Sequence, residues 1–133
     1  MRIRVYFRIE GDSGDLQNFN SSLSAELSAE LRQRKKNIKG QVHYTEIYWC
    51  SIESDVEKQL DDLSGFELYI DKIIDIYFDY IQNWSSVLKP TLAMSVIYEH
   101  GEEVGGIYLS QKTIKRLSEI NCDLDMDADL YKQ

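Results

Sequence analysis

The chain has 133 residues and a formal net charge of −8, with 43% hydrophobic and 11% aromatic residues. That length suits one domain over residues 1–133, and the apolar share excludes a disordered acidic tail. Residues 1–40 sum to +3 and residues 41–133 to −11, a balance that disfavours nucleic acid and anionic membrane surfaces, both of which recruit Lys and Arg, and suits a cationic partner.

Residues 2–10, RIRVYFRIE, place Ile3, Val5, Phe7 and Ile9 on one face and Arg2, Arg4, Tyr6 and Arg8 on the other. This predicts a half-buried strand with one basic face. Gly11-Asp12-Ser13-Gly14-Asp15 breaks it. From Leu16 to about Lys36, Leu23, Leu27 and Leu31 recur every four residues, which predicts a helix whose end carries Arg32, Arg34, Lys35 and Lys36 and stops at Gly40. Gln41 to Ile52 is rich in Val, Tyr, Thr, Ile and Trp, with large groups on both faces, as in a central strand. Ser54 and Glu57 form a capping box for a short helix over residues 55–63, ended by Gly65.

Phe66 to about Trp84 carries the strongest periodicity. Ile70, Ile73, Ile74, Tyr77, Phe78, Ile81 and Trp84 share one helical face. Lys89-Pro90 ends the connection. Thr91–Tyr98 and Val104–Leu109 read as a hairpin across residues 99–103. Ser110 caps a last helix over Gln111–Glu119, and residues 122–131, CDLDMDADLY, alternate as a final strand. The expected architecture is α+β. It has a single, mostly antiparallel sheet of about five strands with helices packed on one face, in the order β-α-β-α-β-β-α-β.

Two acidic rows stand out. Glu67, Asp71, Asp75 and Asp79 recur at i, i+4 on the long helix, lining about 18 Å of it. Each like-charge pair costs roughly 0.2–0.5 kcal/mol, with only Lys72 and Lys58 near in sequence to offset it. Such a row is either a solvated face or a docking surface for Lys and Arg. Tyr69 and Tyr80 lie beside it, and tyrosine next to aspartate suits a binding hot spot. These six residues are the candidate partner-binding set. The second row is Asp123, Asp125, Asp127 and Asp129. It opens like a calcium loop, but Ala128 takes the place of the sixth-position Gly and the twelfth-position Glu is missing. The apolar residues between the aspartates suit a strand.

Enzymatic machinery is not expected. His43 and His100 are the only histidines, and no HExxH, phosphate-binding loop, GxGxxG or GxSxG occurs. Cys50 and His43 are seven apart on one strand and so point to opposite faces. No catalytic residue, metal site or cofactor is assigned. Cys50 and Cys122 form no CxxC and are expected as buried, reduced thiols. The N-terminus lacks an apolar leader, and Glu67, Asp71, Lys72, Asp75 and Asp79 interrupt the most apolar stretch. A cytoplasmic location without a membrane span is expected.

The run from Leu109-Ser110 through a helix to Leu124-Asp125-Met126-Asp127, ending at Tyr131, resembles a bacterial α+β domain family of unknown function. Lys39-Gly40, the strand with Trp49 and Ser51, and the long Ile-rich helix fit the same pattern. No catalytic residues come with this family. Small acidic domains of this size are similar to the immunity proteins of polymorphic-toxin and contact-dependent inhibition systems. The expectation is therefore a non-enzymatic immunity protein that binds and neutralises a cognate toxin domain with a basic surface, for instance a nuclease. The alternative is a regulatory domain responsive to a small molecule or a divalent metal, or an enzyme with a carboxylate site. A homodimer that pairs the acidic edge with a neighbour's basic N-terminal strand is a third reading.

Overall fold

A computed structural model describes residues 2–23, 31–53, 58–59, 66–99, 101 and 108–130. Among them the order is β1 (Arg2–Gly11), α1 (Ser13–Ser22), β2 (Arg32–Ile38), β3 (Gln41–Glu53), β4 (Lys58–Gln59), α2 (Phe66–Gln82), β5 (Lys89–Tyr98), α3 (Gln111–Glu119) and β6 (Asp123–Leu130). The fold is α+β with a mostly antiparallel sheet. The strands run β2-β3-β1-β5-β6, and the two-residue β4 pairs the start of β1.

β1 forms as its alternation predicts. Ile3, Val5, Phe7 and Ile9 are buried, and they lie in register with Val96, Met94, Leu92 and Pro90 of β5. β1 is central, with β3 on one side and β5 on the other. Its basic strand is therefore flanked by strands on both sides.

The helix expected over residues 16–36 is replaced by a shorter α1 and a strand, with residues 24–30 outside the described set. Asp12 caps α1, its side chain accepting Asp15 N–H at 2.8 Å. Ser21 and Ser22 donate their hydroxyls back to the carbonyls of Gln17 and Phe19, a competition that weakens helix. β2 then pairs β3 through Lys39-Gly40. Both turn residues have positive φ, 52° and 79°, as a two-residue type I′ hairpin turn needs. Gly40 is thus a hairpin residue and not a helix stop. The helical preference of Arg, Gln and Lys yields here to strand pairing.

β3 lies between β2 and β1, the central position its two-sided apolar pattern predicts. Of the expected helix over 55–63, residues 58–59 form β4 and the rest lies outside the described residues, with Ser54 and Glu57. The expected strand over 104–109 falls mostly outside them as well, and Tyr108 and Leu109 belong to no strand.

α2 buries Phe66, Ile70, Ile73, Ile74, Tyr77 and Ile81 in one core with Ile3, Val5, Phe7, Leu92, Met94 and Val96 of the sheet. Phe7 and Tyr77 meet edge to face at 6.0 Å, and Phe19 of α1 meets Trp84 at 6.3 Å. Removing one such side chain, for example Ile70→Ala, costs about 2–5 kcal/mol. β5 and β6 run parallel, which requires a crossover, and α3 lies within it. α3 contributes Leu117 and Ile120 to the same core. It ends where Asn121, at φ 51°, lets Cys122 N–H reach Leu117 O at 2.9 Å and Asn121 N–H reach Ser118 O at 3.0 Å, the Schellman pattern. Among the described residues no helix is long and apolar enough to cross a membrane.

Candidate functional site

An i, i+4 row does not run straight along a helix. Each step turns about 40° at 3.6 residues per turn. Glu67, Asp71, Asp75 and Asp79 therefore sweep about 120° around α2. The row begins against α3 and ends facing solvent.

Glu67 is half-buried and holds the start of α3. Its Oε1 accepts the Ser110 backbone N–H at 2.7 Å and the Thr113 hydroxyl at 2.8 Å. The same hydroxyl lies 2.9 Å from Asp71 Oδ1, and with one hydrogen it donates to one carboxylate at a time. Hydrogen bonds from Ser110, through its side chain and its backbone N–H, and from Thr113 hold the Glu67 carboxyl below its ordinary pKa. Arg116 of α3 supplies the positive charge. Its Nη2 hydrogen-bonds Asp75 Oδ1, its Nη1 lies 3.9 Å from Asp71, and its guanidinium covers the Phe78 ring at 5.5 Å. A counter-ion for this row comes from 41 residues along the chain.

The row opens outward along its length. The Asp71 side chain is 29% exposed and that of Asp75 65%. Asp79 is exposed, and among the described residues its carboxylate has no hydrogen-bond or ion-pair partner. It sits in the last turn of α2, where no basic residue follows. A carboxylate there adds to the negative end of the helix dipole and is unfavourable to the helix. Leu68 and Ile76 are exposed on the same outer side, at 68% and 52%. Tyr69 and Tyr80 are half-buried, with their rings packed against the core. The outer patch thus joins Asp75 and Asp79 to Leu68 and Ile76, two apolar residues the sequence pattern did not single out.

The second row lies elsewhere. β6 is in register with β5, Asp123 beside Thr91 and Asp125 beside Ala93, while Leu124 and Met126 stand beside the buried Leu92 and Met94. The aspartates therefore occupy the sheet face opposite the helices. Lys89 lies 3.4 Å from Asp123, and Arg8 lies 3.6 Å from Asp125 and 3.9 Å from Glu10. Glu10 in turn pairs with Arg34 of β2. No flat partner surface can cover both rows at once, because they point to opposite sides of the sheet.

Chemistry-bearing groups are sparse. Cys122 is a free, half-buried thiol whose pKa burial pushes up to about 12, so it is protonated near neutrality and a poor nucleophile. Among the described residues no group of three or more His, Cys, Asp or Glu could hold a metal ion. A groove of about 530 Å³ beside Gly11 is lined by Glu10, Asp12, Ser86, Val87, Leu88 and Lys89, with no histidine or cysteine. His43 is exposed near the β2–β3 turn, and His100 lies outside the described residues.

Comparison with protein-family models, curated proteins and solved structures returns no match.

Proposed function

We propose that this chain is a non-enzymatic protein-binding domain that docks a cationic partner on the outer end of α2. In this reading it acts as a cytoplasmic immunity protein that neutralises a cognate bacterial toxin with a basic surface, for instance a nuclease. One observation carries the reading: Asp79 sits exposed in the last turn of α2, one turn beyond the Arg116-paired Asp75, in a chain of net charge −8. A carboxylate kept where it opposes the helix dipole has no local structural benefit, and such departures concentrate at functional sites.

Glu67, Asp71 and Asp75 all contact α3 in this arrangement, which narrows the six-residue candidate set. Asp79 offers the charge, with the exposed Asp75 beside it. Leu68 and Ile76 offer apolar area at the centre, and Tyr69 and Tyr80 flank it. An interface of this composition draws its partner in by charge and keeps it by apolar contact.

Co-expression with the C-terminal domain encoded by the gene directly upstream tests the reading. Rescue of growth by the native chain, and loss of rescue on Ile76→Arg with Asp79→Lys, supports it. Toxicity unchanged by the native chain, or rescue undiminished by the double substitution, overturns it.

A further inference from the structure

Among the described residues the sheet ends at β6, and that strand is only half covered. By register Leu124 and Met126 share a face with Leu92 and Met94. Leu92 and Met94 are 0% and 2% exposed, yet Leu124 and Met126 are 43% and 45% exposed. The helical cover thus stops one strand short. On the other face Asp123, Asp125 and Asp127 are exposed at alternate positions, about 6.5 Å apart. Among the described residues no strand pairs the outer edge of β6, and such an edge presents unpaired backbone N–H and C=O groups.

We infer that the outer edge of β6 is a docking site for an extended segment of another protein in which basic and apolar side chains alternate. Such a segment would extend the sheet by one strand. Its apolar side chains would cover Leu124 and Met126, and its Lys or Arg would face Asp123, Asp125 and Asp127. Period-two alternation is required because the two faces of β6 differ in this way.

The composition of the two outer strands argues against a second copy as the occupant. A β6–β6 pair sets carboxylates opposite carboxylates, which is unfavourable. β2, the other outer strand, is RQRKKNI. It brings charge, but Ile38 is its only aliphatic residue, so it cannot cover Leu124 and Met126. The aspartates thereby reject most strands and admit those bearing cations, which is how an open edge gains specificity. The aspartates of this surface lie on the opposite side of the sheet from the α2 patch, and the edge of β6 does not depend on that patch being used.

The test uses the full chain and two peptides of equal composition. In one, four valines alternate with three arginines. In the other, the same residues are arranged in blocks. Binding is followed by fluorescence anisotropy, and backbone hydrogen exchange locates the site. The expected result is tighter binding of the alternating peptide by at least about tenfold, with slower exchange confined to β6 and its neighbour β5. Met126→Lys and Asp127→Asn should each weaken that binding severalfold, the second without any burden on folding. Equal affinity for both peptides, protection located outside β6, or binding unchanged by Asp127→Asn and Met126→Lys overturns the inference. Sedimentation of the chain alone as a concentration-dependent oligomer that Met126→Lys dissociates also overturns it, because a second copy is then the occupant. Loss of peptide binding on Asp127→Asn with toxin rescue intact separates this site from the α2 patch.

Discussion

Glu67 Oε1 accepts the backbone N–H of Ser110 at 2.7 Å, from a residue 43 positions away in the chain. In a capping box the carboxylate sits at the third position of its own helix and reaches back to the cap. In α3 that position is Thr113, whose hydroxyl instead donates to Glu67. One helix thus completes the cap of another, and the carboxylate row on α2 orients α3 before it meets any partner.

Glu67 should make stability pH-dependent in a defined direction. Its folded pKa lies below the ordinary 4.5. The stabilisation is therefore complete above about 4.5 and is lost as pH falls through the lower, folded value. Glu67→Gln should lower the melting temperature by about 2–5 °C at neutral pH. Thermal melts of both proteins should converge as the pH is taken down through that range.

Thr113 is fully buried and its hydroxyl serves two carboxylates. Thr113→Val keeps the shape and removes the donor, and should cost about 1–3 kcal/mol in urea denaturation. Thr113→Ser keeps the hydroxyl and should lose only about 1 kcal/mol for the missing methyl. A valine variant as stable as the native chain would mean that the hydroxyl adds nothing to the α2–α3 junction.

Much of this fold was legible where one pattern ran unopposed. The alternation of β1 and β6, the apolar face of α2 and the Ser110 cap of α3 all appear at their expected places. The basic segment 32–38 was not, because its residues favour helix locally and become strand only through pairing with β3. Nor was the parallel direction of β6, which depends on where α3 carries the chain. The acidic row was visible as spacing. Its engagement with α3 through Glu67, Asp71 and Asp75, leaving Asp79 facing solvent, was not, because Arg116 and Thr113 lie about 40 residues away. The 40° turn per i, i+4 step was the available clue.

The hairpin at Lys39-Gly40 offers a stability gain. Lys39 adopts φ 52°, a conformation that costs a non-glycine residue roughly 1–2 kcal/mol and that asparagine tolerates better. Lys39→Asn should raise stability by about 0.5–1 kcal/mol. Gly40→Ala, at φ 79°, should lower it by about 1 kcal/mol. The midpoint of urea unfolding reads both.

Cys122 should resist alkylation while the protein is folded. With its thiol pKa raised to about 12 by burial, iodoacetamide at pH 8 should label the peptide containing Cys122 at least about tenfold more slowly than in urea. Equal labelling in the two states would indicate an open, ionised thiol.

The proposed function has a cationic partner steered to the outer end of α2. Its most direct test is the association rate with the toxin domain that the proposed function requires, measured by stopped flow between about 0.05 and 0.5 M NaCl. For the native chain the rate should fall at least about tenfold across that range, and Asp79→Lys should slow it at low salt and flatten the dependence. A rate that neither salt nor Asp79→Lys changes would contradict the account.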